Sequence, residues 1–159
     1  MKRSTALRPL AAEHHQALLV AFQLKKGLAG HAETAGAPKD LPGLLALARR
    51  FARNVLEPHL LAEEALLTPH LEPAEGRRLA DEHAELRALV TQAARAREAD
   101  QRTHLGAFAD LLERHVRWEE RELFVALESR LAGPSLDAVG AGLERRLVLN
   151  GQGGKKAAT

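Results

Sequence analysis

Apolar side chains recur every three to four positions along most of this chain, and the recurrence is interrupted near Gly30, Pro69, Asp100 and Gly133. Leu10, His14, Ala17, Leu18, Ala21 and Leu24 share one face and predict a first helix from about Leu7 to Leu28, ended by Gly30. The stretch from His31 to Asp40 has no period and predicts a surface loop. Asp40 is placed to cap a second helix, with Pro42 in its first turn. That helix carries Leu44, Ala48, Phe51, Val55, His59, Ala62 and Leu66 on one face and stops near Pro69. Pro58 lies inside it and should kink it, because proline removes a backbone donor; the kink is read as helping to aim His59.

Pro73 opens a third helix, with Leu79, His83, Leu86, Val90 and Ala93 on its apolar stripe, fading near Asp100. A fourth runs from about Arg102 to Leu131 through Phe108, Leu112, His115, Glu119, Leu123 and Ala126, and Gly133-Pro134 stops it. A short fifth amphipathic piece, Leu136 to Leu147, is expected to pack across the others, and the segment from Asn150 reads as a disordered tail. The pattern predicts an all-α, up-down-up-down four-helix bundle with a short extra C-terminal helix: one domain over residues 1–149 and a tail over 150–159.

Composition adds exclusions. The chain has no cysteine, hence no disulfide framework and no thiolate metal site. No signal-peptide pattern and no membrane-spanning apolar run are present, so a soluble, cytoplasmic protein is expected. Basic and acidic residues, 23 and 21, are mixed along the chain, and there are only four Phe, one Trp and no Tyr. Neither a nucleic-acid footprint nor an aromatic platform for single strands is present, and no nucleic-acid or membrane partner is expected.

The histidines carry the chemistry. His59 precedes Glu63 by four residues, and His115 precedes Glu119 by four, so each pair presents an imidazole and a carboxylate on one helical face. Both pairs lie on apolar stripes, where an uncompensated charge is costly. His14-His15 on the first helix and His83 on the third also fall within apolar stripes. Counted from the connecting turns at about 1.5 Å per residue, His15, His59, His83 and His115 sit at one level of an antiparallel bundle. Nitrogen and oxygen donors without sulfur suit a pair of first-row metal ions, with the carboxylates bridging and the imidazoles terminal. Two such carboxylates in a bundle core favour iron, with zinc or another divalent metal as the alternative. Glu64, Glu120 and Glu122 are read as ordinary solvated helix face, His31, His70 and His104 as surface, and Trp118 as core beside the site.

These residues resemble the hemerythrin-like HHE cation-binding domains, over roughly Leu10 to Leu131. His59-Leu-Leu-Ala-Glu63-Glu64 and His115-Val-Arg-Trp-Glu119-Glu120 each match the H-x-x-x-E-E pattern. Asp81-Glu82-His83-Ala-Glu-Leu86 is similar to the third-helix segment, and Glu13-His14-His15-Gln-Ala-Leu18 to the first. His15, with Leu18 three residues on as His83 has Leu86, is taken as the first-helix ligand. His14, which fits the acidic-then-His half of the pattern, is the alternative. The resemblance implies two non-heme iron ions, oxo- or hydroxo- and carboxylate-bridged, held by His15 or His14, His59, Glu63, His83, His115 and Glu119. Oxygen-carrying members have a further histidine one turn before the counterpart of His83, and Leu79 stands there. Either His14 supplies a fifth imidazole or one metal keeps a position for a small ligand.

The function this implies is binding of a small diatomic ligand, O2 or NO, for sensing, storage or detoxification, by a monomer or weak homo-oligomer. A di-iron enzyme consuming peroxide or repairing nitrosative damage ranks second, since no Tyr radical candidate and no evident proton relay are present. A metal-responsive interaction module ranks third.

Overall fold

A computed structural model describes residues 4–153, with side-chain surroundings for 4–147. All regular structure among the described residues is helical. A short 3-10 turn, Thr5–Leu7, leads into α1, Arg8–Leu28. The predicted loop contains a single turn, α2 (Ala32–Ala35), closed by Gly36 in the left-handed region at φ 60°. Asp40 caps α3 (Leu41–Phe51) as expected, its carboxylate accepting the Gly43 N–H at 2.7 Å.

From α3 the backbone passes through a π-turn, Ala52–Leu56, into α4, Glu57–Leu66, and every junction residue keeps right-handed helical angles. The kink expected at Pro58 therefore takes the form of a widened turn just before it. Proline cannot donate to the preceding turn, and an i→i+5 turn absorbs the mismatch without breaking the rod. A 3-10 turn, Thr68–His70, links to α5, Pro73–Arg95, whose start is fixed by a capping box between Glu72 and Glu75. Next come α6, Glu98–Trp118, a second π-turn, Glu119–Leu123, and α7, Phe124–Arg130. The last helix, α8, spans Pro134–Gly153. It is longer than the sequence suggested, running into the segment assigned to a disordered tail; the rest of that segment, 154–159, lies outside the described residues.

The apolar interior falls into two clusters. One joins Ala17, Val20, Leu24, Leu56, Leu60, Leu86, Leu112 and Val116 among others. The other joins Leu7, Leu10, Ala62, Leu67, Leu79, Trp118, Leu123, Phe124 and residues of α8. Along each rod the site histidine stands where one cluster gives way to the other, so a buried polar layer divides the core. α8 closes the second cluster by packing on α4 and the N-terminal turn. Glycine permits that approach, since a Cβ on Gly140 would lie 2.8 Å from the Ala6 backbone.

Candidate metal centre

Six polar side chains are buried in this divided core: His14, His59, Glu63, His83, His115 and Glu119. They come from α1, α4, α5, α6 and the first residue of the second π-turn. Their donor atoms form two overlapping groups: His14, His59, Glu63 and Glu119, and Glu63, His83, His115 and Glu119. Within each group the atoms lie inside 4.8 Å of one another.

The contacts repeat with a local two-fold pattern. Glu63 sets one oxygen 3.2 Å from His59 Nε2 and the other 3.3 Å from His83 Nε2. Glu119 sets one oxygen 3.1 Å from His14 Nε2 and the other 3.2 Å from His115 Nε2. Each carboxylate thus faces both groups, and each group has two imidazoles.

Behind every ring stands a further carboxylate. The Nδ1 atoms of His14, His59, His83 and His115 meet Glu120, Glu13, Glu64 and Glu82 at 2.7, 2.7, 2.8 and 2.7 Å. A carboxylate only accepts, so each Nδ1 donates its proton, and in the neutral ring Nε2 is left as a bare acceptor. The centre then contains only acceptors aimed at one another. His14 Nε2, His83 Nε2, His115 Nε2 and both oxygens of Glu63 and of Glu119 are buried without a hydrogen-bond partner. Such a set is stable only around cations or around added protons. The donors fit a first-row divalent metal pair by number, type and convergence.

Without a metal, protons are the counter-charge. Burial works against a charged imidazole, but the neighbouring carboxylates outweigh it. His14 is raised by Glu119 and Glu120. His59 is raised well above the usual imidazole range, chiefly by the charge of Glu63. His115 is pushed up to about 10, chiefly by the charge of Glu119. Glu119, despite its burial, is held well below the ordinary carboxylate range by His115 and His14. Among the outer carboxylates Glu64 is lowered against its burial by Arg87 and His83, and Glu82 by His115 and Arg78.

Five of the sequence-selected positions, His59, Glu63, His83, His115 and Glu119, meet at this centre together with His14. His15 does not: it is exposed, one residue and about 100° further round α1. The structure brings His14, and not the preferred His15, to the centre, because the apolar stripe of α1 passes through Leu10, His14, Ala17 and Ala21. The reading of Glu64 and Glu120 as plain solvated face is also corrected, since each holds an imidazole from behind. Glu13 and Glu82, which the sequence reading gives no role beyond their place in the quoted segments, hold His59 and His115 from behind. The signal for all four was their adjacency to the centre in the chain: Glu13-His14, Glu82-His83, Glu63-Glu64 and Glu119-Glu120. A residue beside an inward-facing one points sideways, toward the neighbouring helix.

Leu79, one turn before His83, is buried in the second apolar cluster. No fifth imidazole joins either group among the described residues, and both are two-histidine groups. Trp118 fills core beside the site, its ring 6.0 Å from that of His115. A small cavity adjoins His14, His59 and His115, walled by Ala17, Phe51, Val55, Leu56, Leu112 and Val116. Its free volume, about 10 Å3, is that of a single water-sized molecule.

No helix among the described residues is long and apolar enough to cross a membrane. No curated protein and no solved structure matches the chain. The family model of the hemerythrin HHE cation-binding domain matches residues 5–127. That match covers most of the chain and contains every residue of the centre, and the protein belongs to the hemerythrin HHE cation-binding domain family.

Proposed function

We propose that this protein holds two iron ions and uses them to bind a small diatomic ligand, O2 or NO, for sensing, storage or detoxification. The observation that carries the reading is the set of buried, mutually facing acceptor atoms without hydrogen-bond partners: both oxygens of Glu63 and of Glu119, and Nε2 of His14, His83 and His115. His14 and His59 would hold one ion and His83 and His115 the other, with Glu63 and Glu119 each offering a separate oxygen to each ion. Iron suits imidazole and bridging carboxylate together. Bound there, the metal pair would supply redox chemistry and coordination positions beyond the four protein donors each ion receives.

The protein's part is to orient and to exclude. The outer carboxylates fix each imidazole in the tautomer that presents Nε2 inward. The divided core keeps bulk water out, and the cavity beside His14 and His59 offers an apolar berth for one small molecule. Its size leaves room for nothing larger than a very small molecule, which is compatible with a diatomic ligand. On the same reading α1, α3–α4, α5 and α6–α7 are the four rods of an up-down-up-down bundle. The same reading takes residues 1–149 as one domain of a cytoplasmic monomer or weak homo-oligomer.

The test is spectroscopic. Anaerobically iron-loaded protein exposed to azide or NO should develop new absorption bands. Ala17→Leu, which fills the cavity, should suppress that response while iron content stays unchanged. No spectral response in the unmodified protein, or full response in Ala17→Leu, would overturn the assignment of the cavity as the ligand berth.

A further inference from the structure

A second concavity, lined by no histidine, lies on the outer surface where α3 and the first π-turn diverge from the C-terminal half of α5. It encloses about 900 Å3, at the upper end of the range for small-molecule sites. Its floor is apolar, with Ala46, Leu56, Leu86, Val90 and Ala94. Its walls carry five arginines, Arg49, Arg50, Arg53, Arg87 and Arg95, against a single acidic residue, Glu57.

Glu57 is already engaged. Arg87 holds it through Nε at 2.9 Å and Nη2 at 3.0 Å, and turns Nη1 to Glu64 at 2.8 Å. Among the described residues Arg49, Arg50, Arg53 and Arg95 pair with no carboxylate, and Arg53 reaches only the side-chain oxygen of Asn54, at 3.3 Å. The whole chain carries a formal net charge of only +2 with its charges mixed, so this concentration is local. Elsewhere among the described residues some arginines are paired, Arg78 with Glu82, Arg117 with Glu113, and Arg130 with Glu72 and Glu75, and others such as Arg77 and Arg102 are not; what sets the groove apart is four unpaired guanidinium groups lining one hollow. Four uncompensated guanidinium groups facing one hollow repel one another, and an anion between them relieves that repulsion. Guanidinium forks match phosphate and carboxylate oxygens two at a time and stack on flat rings.

We propose that this groove between α3 and α5 is a binding site for a small organic polyanion, bearing phosphate or carboxylate groups on an apolar body. The arginine walls take the charged groups and the Leu56–Leu86 floor takes the body. A concave site of this volume fits a small molecule better than a polymer, which would need a charged stripe running beyond the groove.

Isothermal titration of the full, metal-loaded chain tests this, using ATP as the organic probe, with inorganic tripolyphosphate and citrate as body-free phosphate and carboxylate probes. The expected result is one saturable site at physiological salt, tighter for ATP than for either inorganic tripolyphosphate or citrate. The tighter of the latter two identifies the preferred head group. Arg50→Ala with Arg95→Ala should weaken ATP binding at least tenfold, with thermal midpoint and metal content unchanged. Arg117→Ala with Arg121→Ala, on another face, should leave binding intact. Absence of a saturable site, equal losses in the two double variants, or tighter binding of poly-glutamate or a DNA duplex would overturn the proposal.

Discussion

Each imidazole at the centre is held at Nδ1 by an outer carboxylate and turns Nε2 toward an inner one, and substitutions should report the two sides differently. Removing His14 deletes one of the two imidazoles in its group. His14→Ala should lower metal content to about half or less by elemental analysis, because a site with three protein donors binds weakly. His15→Ala should leave content and spectrum unchanged, since the ring is exposed and outside both groups. The outer carboxylates act through orientation and basicity. Glu13→Gln keeps an acceptor oxygen near His59 but removes its charge, and metal affinity in a chelator competition should fall about 10- to 100-fold. An unchanged affinity would mean that Glu13 has no hold on the ring.

The rods were largely legible as elements, since their apolar period, the Asp40 cap and the Gly133-Pro134 stop are local signals. What escaped was the register. A π-turn leaves no period of its own in the sequence, and Pro58 announced a disturbance without saying whether the rod would bend or widen. The choice between His14 and His15 depended on which of two overlapping stripes faces inward, and that is decided by what packs against α1. The outer glutamates were missed for a related reason: each serves a ring on another helix, so helical spacing within its own element does not reveal it. α8 was underestimated because its Gly- and Ala-rich stretch has weak amphipathic contrast, yet small residues are what let it approach the N-terminal turn. Gly140→Ala places a methyl group against the Ala6 backbone, at 2.9 Å or less from both its Cα and Cβ. Overpacking of this kind costs about 1–3 kcal/mol, so thermal unfolding should shift downward by several degrees. An unchanged midpoint would show that α8 is not held at this contact.

At the scale of the whole molecule, metal-free and metal-loaded forms should respond to pH in opposite senses. In the metal-free form His14, His59 and His115 have raised proton affinities, set against burial by the inner and outer carboxylates. A raised imidazole stabilises the fold fully below its unfolded value, near 6.5, and that contribution is lost as pH climbs through the folded value. The metal-free protein should therefore melt at a higher temperature near pH 6 than near pH 10, the value to which His115 is pushed being about 10. Metal must displace those protons, so loading releases protons and apparent affinity rises with pH through neutrality instead of reaching a plateau just above the ordinary imidazole value. Calorimetric melts of both forms across this range would check the crossing of the two trends.

A core divided around two metal ions has a fixed metal content, which elemental analysis reads. Protein loaded anaerobically with excess ferrous iron, freed of loosely bound metal and analysed for iron and protein together should contain about two irons per chain, as two bridging carboxylates require. His83→Ala should bring that value toward one by weakening a single group, while Glu63→Ala, which serves both groups, should bring it toward zero. A value of one or less in the unmodified protein after full reconstitution would mean that the buried layer is not a two-metal centre.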